Sequence, residues 1–584
     1  MIMQFIKNVG FVLIALMAMT SCEKEFLNEA NPNGVSTDIY WANLEETEST
    51  LTSVYGGMLN TYLLNIPAEN LRADMAFPRE RTRITGAGVP FYYQQFNSSN
   101  STIGDKWDAC YQVAFRANQV IEALQKLEGS VDEDRWVLQM AQARFLRGLV
   151  HHYLHSTFNE GRIIIRDKVP QSLADFNKPV ASSEEVIAFF RDDLKYAYDH
   201  LPATYPPGNE GRATAAAAAT VLANSYLYEG EYEEAKTLYK DVIENPDYGL
   251  ELVEDMNLLW TEAGEFNKES IFEINYTLDF QLEDSQFDEE SFNSRLARFT
   301  APINLGGGGQ ETFTPVAWLT HAYRTEKMDT LDDRNYVVGD DGQTRLRTAT
   351  LRTSAMMAMV DDLDTPYYLQ AFAARAANFA RLTFTYLKKY TNHDIVADEG
   401  ETGLTGWKSG RNVVVNRLAE VHLNLAECQI KTGEIDAALA NINAIRARWG
   451  LILLGPSTTP DRTFDGVAYD ATSLMNRLMY VEKPLELSFE GHAIRAIDLR
   501  RWGITQQRFR ELAERKFSVV DYDYTAEDGS TVTHRESLLV EGEATPSGTP
   551  IVEYELTAEN YNPDVHAYYP IPLGEVQNNS SIDN

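Results

Sequence analysis

The chain has 584 residues, 44% hydrophobic and 23% charged, an ordinary globular composition that excludes disorder throughout. Lys plus Arg total 51 against 86 Asp plus Glu, and the resulting formal charge of −35 argues against binding to nucleic acid or to anionic headgroups. Three cysteines, Cys22, Cys110 and Cys428, exclude a disulfide scaffold and show no metal-binding spacing. At ~150 residues per domain the length allows roughly four domain-sized masses, or one continuous helical body.

Residues 1–22 read MIMQFIKNVGFVLIALMAMTSC. Lys7 precedes an apolar run, Phe11 to Met19, that is too short to span a hydrocarbon core needing about 20 helical residues. A positive start, a short apolar centre and the small pair Thr20-Ser21 make residues 1–21 a secretory signal. Cys22 directly after that pair resembles a bacterial lipoprotein box, so Cys22 is the expected lipidation site and new N-terminus. Its acyl chains would be the membrane anchor. Glu23-Lys24-Glu25 resembles the surface-export signal of some Gram-negative lipoproteins, and also suits a solvated tether over residues 22–36.

Helical periodicity dominates the region 37–250. Trp107, Tyr111, Ala114, Asn118, Ile121 and Leu124 recur at steps of three or four, and Ala141, Phe145, Gly148 and His152 continue similarly. Gly211-Arg212-Ala213-Thr214 opens an Ala-rich helix, Ala215 to Glu229, that stops at Gly230. Adding 203 to Leu222, Ala223, Tyr226, Gly230, Ala235 and Tyr239 gives Leu425, Ala426, Gln429, Gly433, Ala438 and Ile442. Four of six are identical. The spacing matches the tetratricopeptide pattern of a large-small pair, a Gly turn, an Ala and a large apolar residue. The two units are not in tandem, so an insertion must loop out and return. The expected fold is therefore mainly α, a tetratricopeptide-like superhelix of helical pairs carrying an irregular insertion.

That insertion, residues 251–410, holds Gly306 to Gly309, the loop Asp398 to Gly410, and Trp318, Tyr323, Tyr367, Tyr368 and Trp407. The remaining region, 411–584, contains the second helical unit and an irregular stretch, 517–560, whose alternation suggests a hairpin. Long irregular excursions on a rigid scaffold are where binding residues usually sit.

Catalytic signatures are missing from the sequence: there is no G-x-x-x-x-G-K-[ST], H-E-x-x-H or G-x-S-x-G. His151, His152 and His155 would place two imidazoles at i and i+4, but no third zinc ligand is evident and helix packing is the expected role. Asp361, Asp362 and Asp364, like Asp340 and Asp341, lack EF-hand spacing. No cofactor and no catalytic residue is expected.

Several segments together resemble the SusD/RagB family of outer-membrane nutrient-binding lipoproteins. They are Trp107 to Tyr111 with Ala117-Asn118, Ala143-Arg144-Phe145-Leu146-Arg147-Gly148 with Tyr153, Gly211 to Thr214, Glu269 to Glu273, Glu486 to His492 with Asp498 to Gly503, and Tyr569 to Pro572 with Glu575 and Asn578. Ala493 and Lys483-Pro484 depart from the family's usual arginines, which puts local ion pairing in question. Arg500, Arg501 and Trp502 are expected to pack and cap helix carbonyls rather than bind ligand. The resemblance implies four tetratricopeptide-like units, a cell-surface location at the outer membrane, and capture of an oligosaccharide or polysaccharide without bond cleavage. It also implies a partner, a SusC-type TonB-dependent transporter that receives the ligand.

Sugars present flat C–H faces ringed by hydroxyls, so a binder offers aromatic platforms with Asp, Asn or Arg beside them. On that chemistry the ligand-binding candidates are Asp74, Arg81, Tyr92, Tyr93, Trp318 and Trp407. The global acidity disfavours polyuronates, although Arg79, Arg81 and Arg83 would form a local exception. Two other readings remain: a tetratricopeptide-like scaffold that binds only protein, and a surface glycoside hydrolase.

Overall fold

The structure is a computed structural model describing residues 41–79, 81–279, 291–307, 310–339, 342–402, 409–457, 459–543, 546 and 548–582. Cys22 and Trp407 lie outside the described residues.

The chain is mainly helical. In order come α1 (Leu44–Gly57), α2 (Ser101–Leu127), α3 (Glu133–Thr157), α4 (Ser183–His200), α5 (Ala215–Tyr228) and α6 (Tyr232–Glu244). Their starts follow side-chain capping. Asn100 accepts from the Thr102 amide, Asp132 from Arg135, and Thr214 from Ala217, while Ser182 and Glu185 cap each other's backbone. Each helix packs on the next, and α7 (Leu418–Thr432) packs directly on α6 before α8 (Ile435–Arg448) follows. The chain thus leaves after α6 and returns beside it.

The two units that match at a separation of 203 residues bury the same positions. Ala223 and Ala426, Ala235 and Ala438, and Tyr239 and Ile442 are all fully buried. Gly230 and Gly433 share a left-handed backbone, φ 78° and 85°, that only glycine adopts without strain. Buried polar groups join the units: Asn224 Nδ2 donates to Glu420 Oε1 at 2.9 Å, and Asn424 Nδ2 to Asn224 Oδ1 at 3.0 Å.

Strands are short. They are β1 (Ala76–Pro78), β2 (Ser270–Ile274), β3 (Phe313–Pro315), β4 (Tyr336–Val338), β5 (Thr344–Leu346) and β6 (Met357–Met359). Then come β7 (Thr385–Leu387), β8 (Val413–Arg417), β9 (Phe517–Thr525), β10 (Thr531–Glu541) and β11 (Thr549–Ile551). Pairing is antiparallel: β1 with β3, β2 with β8, β4 with β5, β6 with β7, and β9 between β10 and β11. The alternating stretch after residue 517 is indeed a hairpin.

Buried charges lock the returning chain to the helices. Arg417 pairs with Glu269, Glu486 and Glu490 at 2.6–2.8 Å, and Arg448 pairs with Glu269 and Glu486. Removing one member of such a network would strand a buried charge. The helix Ile494–Arg501 ends on Arg500-Arg501-Trp502, and here capping is not the main role. Arg501 and Trp502 Nε1 converge on the buried Glu427 carboxylate, at 2.5 and 2.7 Å. Lys483 joins them on Glu427 at 3.0 Å and pairs with Asp498 at 3.1 Å, so ion pairing survives the departure from arginine.

Candidate functional site

Four of the six sequence-selected residues lie in the interior. Asp74 is fully buried and takes Arg495 and Arg508 on its two oxygens at 2.7–2.8 Å. Trp318 is 2% exposed; its Nε1 donates to the Asp74 carbonyl, and the Arg508 guanidinium covers its ring at 4.2 Å. Tyr92 is 1% exposed, packed edge-on to Phe77 at 5.0 Å, with its hydroxyl accepting from the Tyr554 amide. Arg81 clamps Glu553 at 2.7 Å, donates to the Pro315 carbonyl, and stacks over Phe384 at 4.2 Å. These groups present no face to a ligand. Asp74, Trp318 and the β1–β3 pair form a foundation, because strand pairing and ion pairs consume the polar atoms. Tyr93 is half-buried, and its carbonyl accepts from Asn560. The histidines also pack: His151 bonds the Arg147 carbonyl and His155 bonds Ser183. Burial pushes both imidazoles down to about 4.

Above that foundation lies an open recess of about 240 Å³. One wall is the N-terminal segment Thr61–Leu71. Two short helices, Thr61–Leu64 and Ile66–Leu71, meet at Asn65, whose backbone is left-handed (φ 49°); Pro67 fits the first turn of the second helix. The opposite wall comes from the insertion. Arg295 precedes the short helix Leu296–Thr300, and the Thr312 amide donates to the Phe299 carbonyl at 2.8 Å. The β1–β3 pair joins the walls, with Pro78 opposite Phe313, and the Arg79 amide extends it by donating to the Thr312 carbonyl at 2.9 Å.

Leu71 and Phe91 line the recess as fully buried apolar groups, and the half-buried rings of Tyr62 and Phe299, which also pack against the core, complete its apolar lining. Gly88 closes it tightly: a Cβ there would sit 2.4 Å from Leu71 Cδ1. Arg79, exposed at the end of β1, is held at φ 59°, a conformation a non-glycine residue adopts only at a cost. A second recess of only about 30 Å³, lined by Trp260, Glu269, Lys389 and Arg417, differs in kind, because its charges are already paired internally.

From the loop around residues 74–93, Arg79, Gly88 and Phe91 line the recess, whereas the candidates Asp74, Arg81, Tyr92 and Tyr93 do not. Tyr62 and Phe299 went unselected; the turn-forming Asn65-Ile66-Pro67 beside Tyr62 was the available signal. No helix among the described residues is long and apolar enough to cross a membrane.

A helical scaffold holding a preformed recess edged by rings and hydrogen-bond donors is a ligand-binding class of architecture. The chain belongs to the SusD family, which matches it over residues 268–584. The family described as starch-binding associating with outer membrane matches residues 25–227. A SusD-like protein of Formosa agariphila is 21% identical over 528 residues, covering 87% of this chain and 92% of its own. Among solved structures, a SusD superfamily protein of Bacteroides vulgatus superposes with a TM-score of 0.68 at 22% identity, covering 93% of this chain and 99% of its own. A laminarin binding SusD-like protein superposes with a TM-score of 0.64 at 19% identity, covering 93% and 98%.

Proposed function

We propose that this protein captures oligosaccharide or polysaccharide in the recess between Tyr62 and Phe299, at the outer surface of the outer membrane, and delivers it to a SusC-type TonB-dependent transporter without cleaving it. The observation that carries the reading is the recess itself: two half-buried rings from separate chain segments, with Arg79, Asn65 and Gln310 beside them. Rings suit sugar C–H faces and the donors suit hydroxyls. Family membership and the laminarin binding relative support the same chemistry. Lipidation at Cys22 would hold the scaffold at the membrane, leaving the recess free to accept glycan.

Calorimetry of the delipidated protein against a polysaccharide panel tests the binding. At least one glycan should bind, Tyr62→Ala and Phe299→Ala should each weaken it, and no reducing ends should accumulate. Binding to none overturns the reading. Delivery is tested separately, by co-purification of the lipidated protein with a β-barrel transporter.

A further inference from the structure

Resting on that glycan reading, we propose that the saccharide bound in this recess is anionic, with a carboxylate or sulfate ester held by Arg79, Arg295 and Asn65. The chain carries 86 acidic residues against 51 basic ones, yet the described residues lining the recess include two arginines and no Asp or Glu. A neutral sugar hydroxyl both donates and accepts, so sites for neutral sugars profit from carboxylates. Here the charged groups in the lining are donors only, and a group that only accepts matches them.

Two further observations point to such a group. Asn65 is 5% exposed, and its Nδ2 has no hydrogen-bond partner among the described residues. A buried donor left without an acceptor is costly, and a ligand oxygen would satisfy it. Arg79 differs from its neighbour Arg81 in the same respect. Arg81 is neutralised by Glu553, whereas the Arg79 guanidinium has no ion-pair partner among the described residues and is presented by a backbone turned to φ 59°. Arg298, beside Arg295, is pushed below its usual range by burial and by the like charge of Arg295.

The test is calorimetry with four oligosaccharide probes of matched length: a polyuronate, its carboxyl-reduced form, a sulfated galactan and its desulfated form. The native protein should bind at least one anionic probe at least tenfold more tightly than its neutral counterpart, and which pair differs identifies carboxylate or sulfate. Arg79→Gly removes the guanidinium while relieving the left-handed strain, so it should fold at least as stably and lose that preference; Arg295→Gln should lose it too. If only neutral glycans bind, with Tyr62→Ala abolishing binding and Arg79→Gly having no effect, the anionic assignment is overturned while glycan binding stands. If no saccharide binds, both fail.

Discussion

Asp74 and Arg495 meet across 421 residues in a two-point ion pair, Nε to Oδ1 at 2.7 Å and Nη2 to Oδ2 at 2.8 Å. Arg508 adds a third contact at 2.8 Å, and the Trp318 indole bonds the Asp74 backbone. One buried carboxylate therefore fastens the N-terminal segment carrying β1 to the C-terminal helices, and the recess is built on that joint. Burial alone would raise the Asp74 pKa, but the Arg495 and Arg508 guanidiniums overcome it and hold the carboxyl down at about 2.

Asp74→Asn leaves two buried guanidiniums facing a neutral amide, and the expected loss is about 3–5 kcal/mol in urea denaturation at pH 7. Because the native pKa lies below the unfolded value of about 3.9, the wild-type contribution is complete above that pH and is lost as pH falls towards 2. The Asn variant should lack that acid-limb slope. A variant as stable as wild type would show that the joint is not structural.

Tyr92→Ala and Trp318→Ala should behave as core truncations, each costing about 3–5 kcal/mol. Tyr62→Ala and Phe299→Ala should instead leave the melting temperature nearly unchanged and weaken glycan binding about tenfold, equivalent to about 1.4 kcal/mol. Thermal melts alongside calorimetry separate the two classes. A destabilised Tyr62 variant that still binds would place that ring in the fold rather than the site.

The helices were legible because their signals are local: Thr214 before an Ala run and Gly230 after it specify one element unaided. The repeated unit was legible too, since close helix packing demands small residues at fixed spacing. What sequence could not rank was burial within the 74–93 loop. Arg79 and Arg81 are two residues apart and chemically identical, but Glu553, 472 residues from Arg81, makes one of them structural. Tyr92 reads as a loop aromatic until Tyr554 and Thr557 cover it. Site membership was decided by partners too distant in sequence for any periodicity to reveal.

Gly148, within the Ala143–Gly148 segment, sits where α3 crosses α4. A Cβ there would lie 3.0 Å from Asp193 Cβ and 3.1 Å from the Phe190 carbonyl. The crossing also carries Arg147, which forks onto Asp193 at 2.7 and 2.9 Å. Gly148→Val should force the helices apart and cost about 1–3 kcal/mol by overpacking, measured by chemical denaturation. An unchanged midpoint would mean that the crossing relaxes freely.

Glu420 is the opposite of Asp74. Burial pushes its carboxyl up to about 7, while Asn416 and Asn224 donate to it at 2.8 and 2.9 Å. Since the folded state holds this proton more tightly than an unfolded Glu of about 4.3, its contribution is fullest below that pH and declines as pH rises through 7, by no more than about 4 kcal/mol. Asn416 Oδ1 has no hydrogen-bond partner among the described residues. With the Asn416 amide rotated, Glu420→Gln could accept from Asn224 and donate to Asn416 while carrying no charge. The Gln variant should match wild type near pH 5 and exceed it in stability above pH 7. A Gln variant less stable at pH 8, or a wild type without decline between about pH 4.5 and 7, would mean that Glu420 is ionised in the joint between α5 and α7.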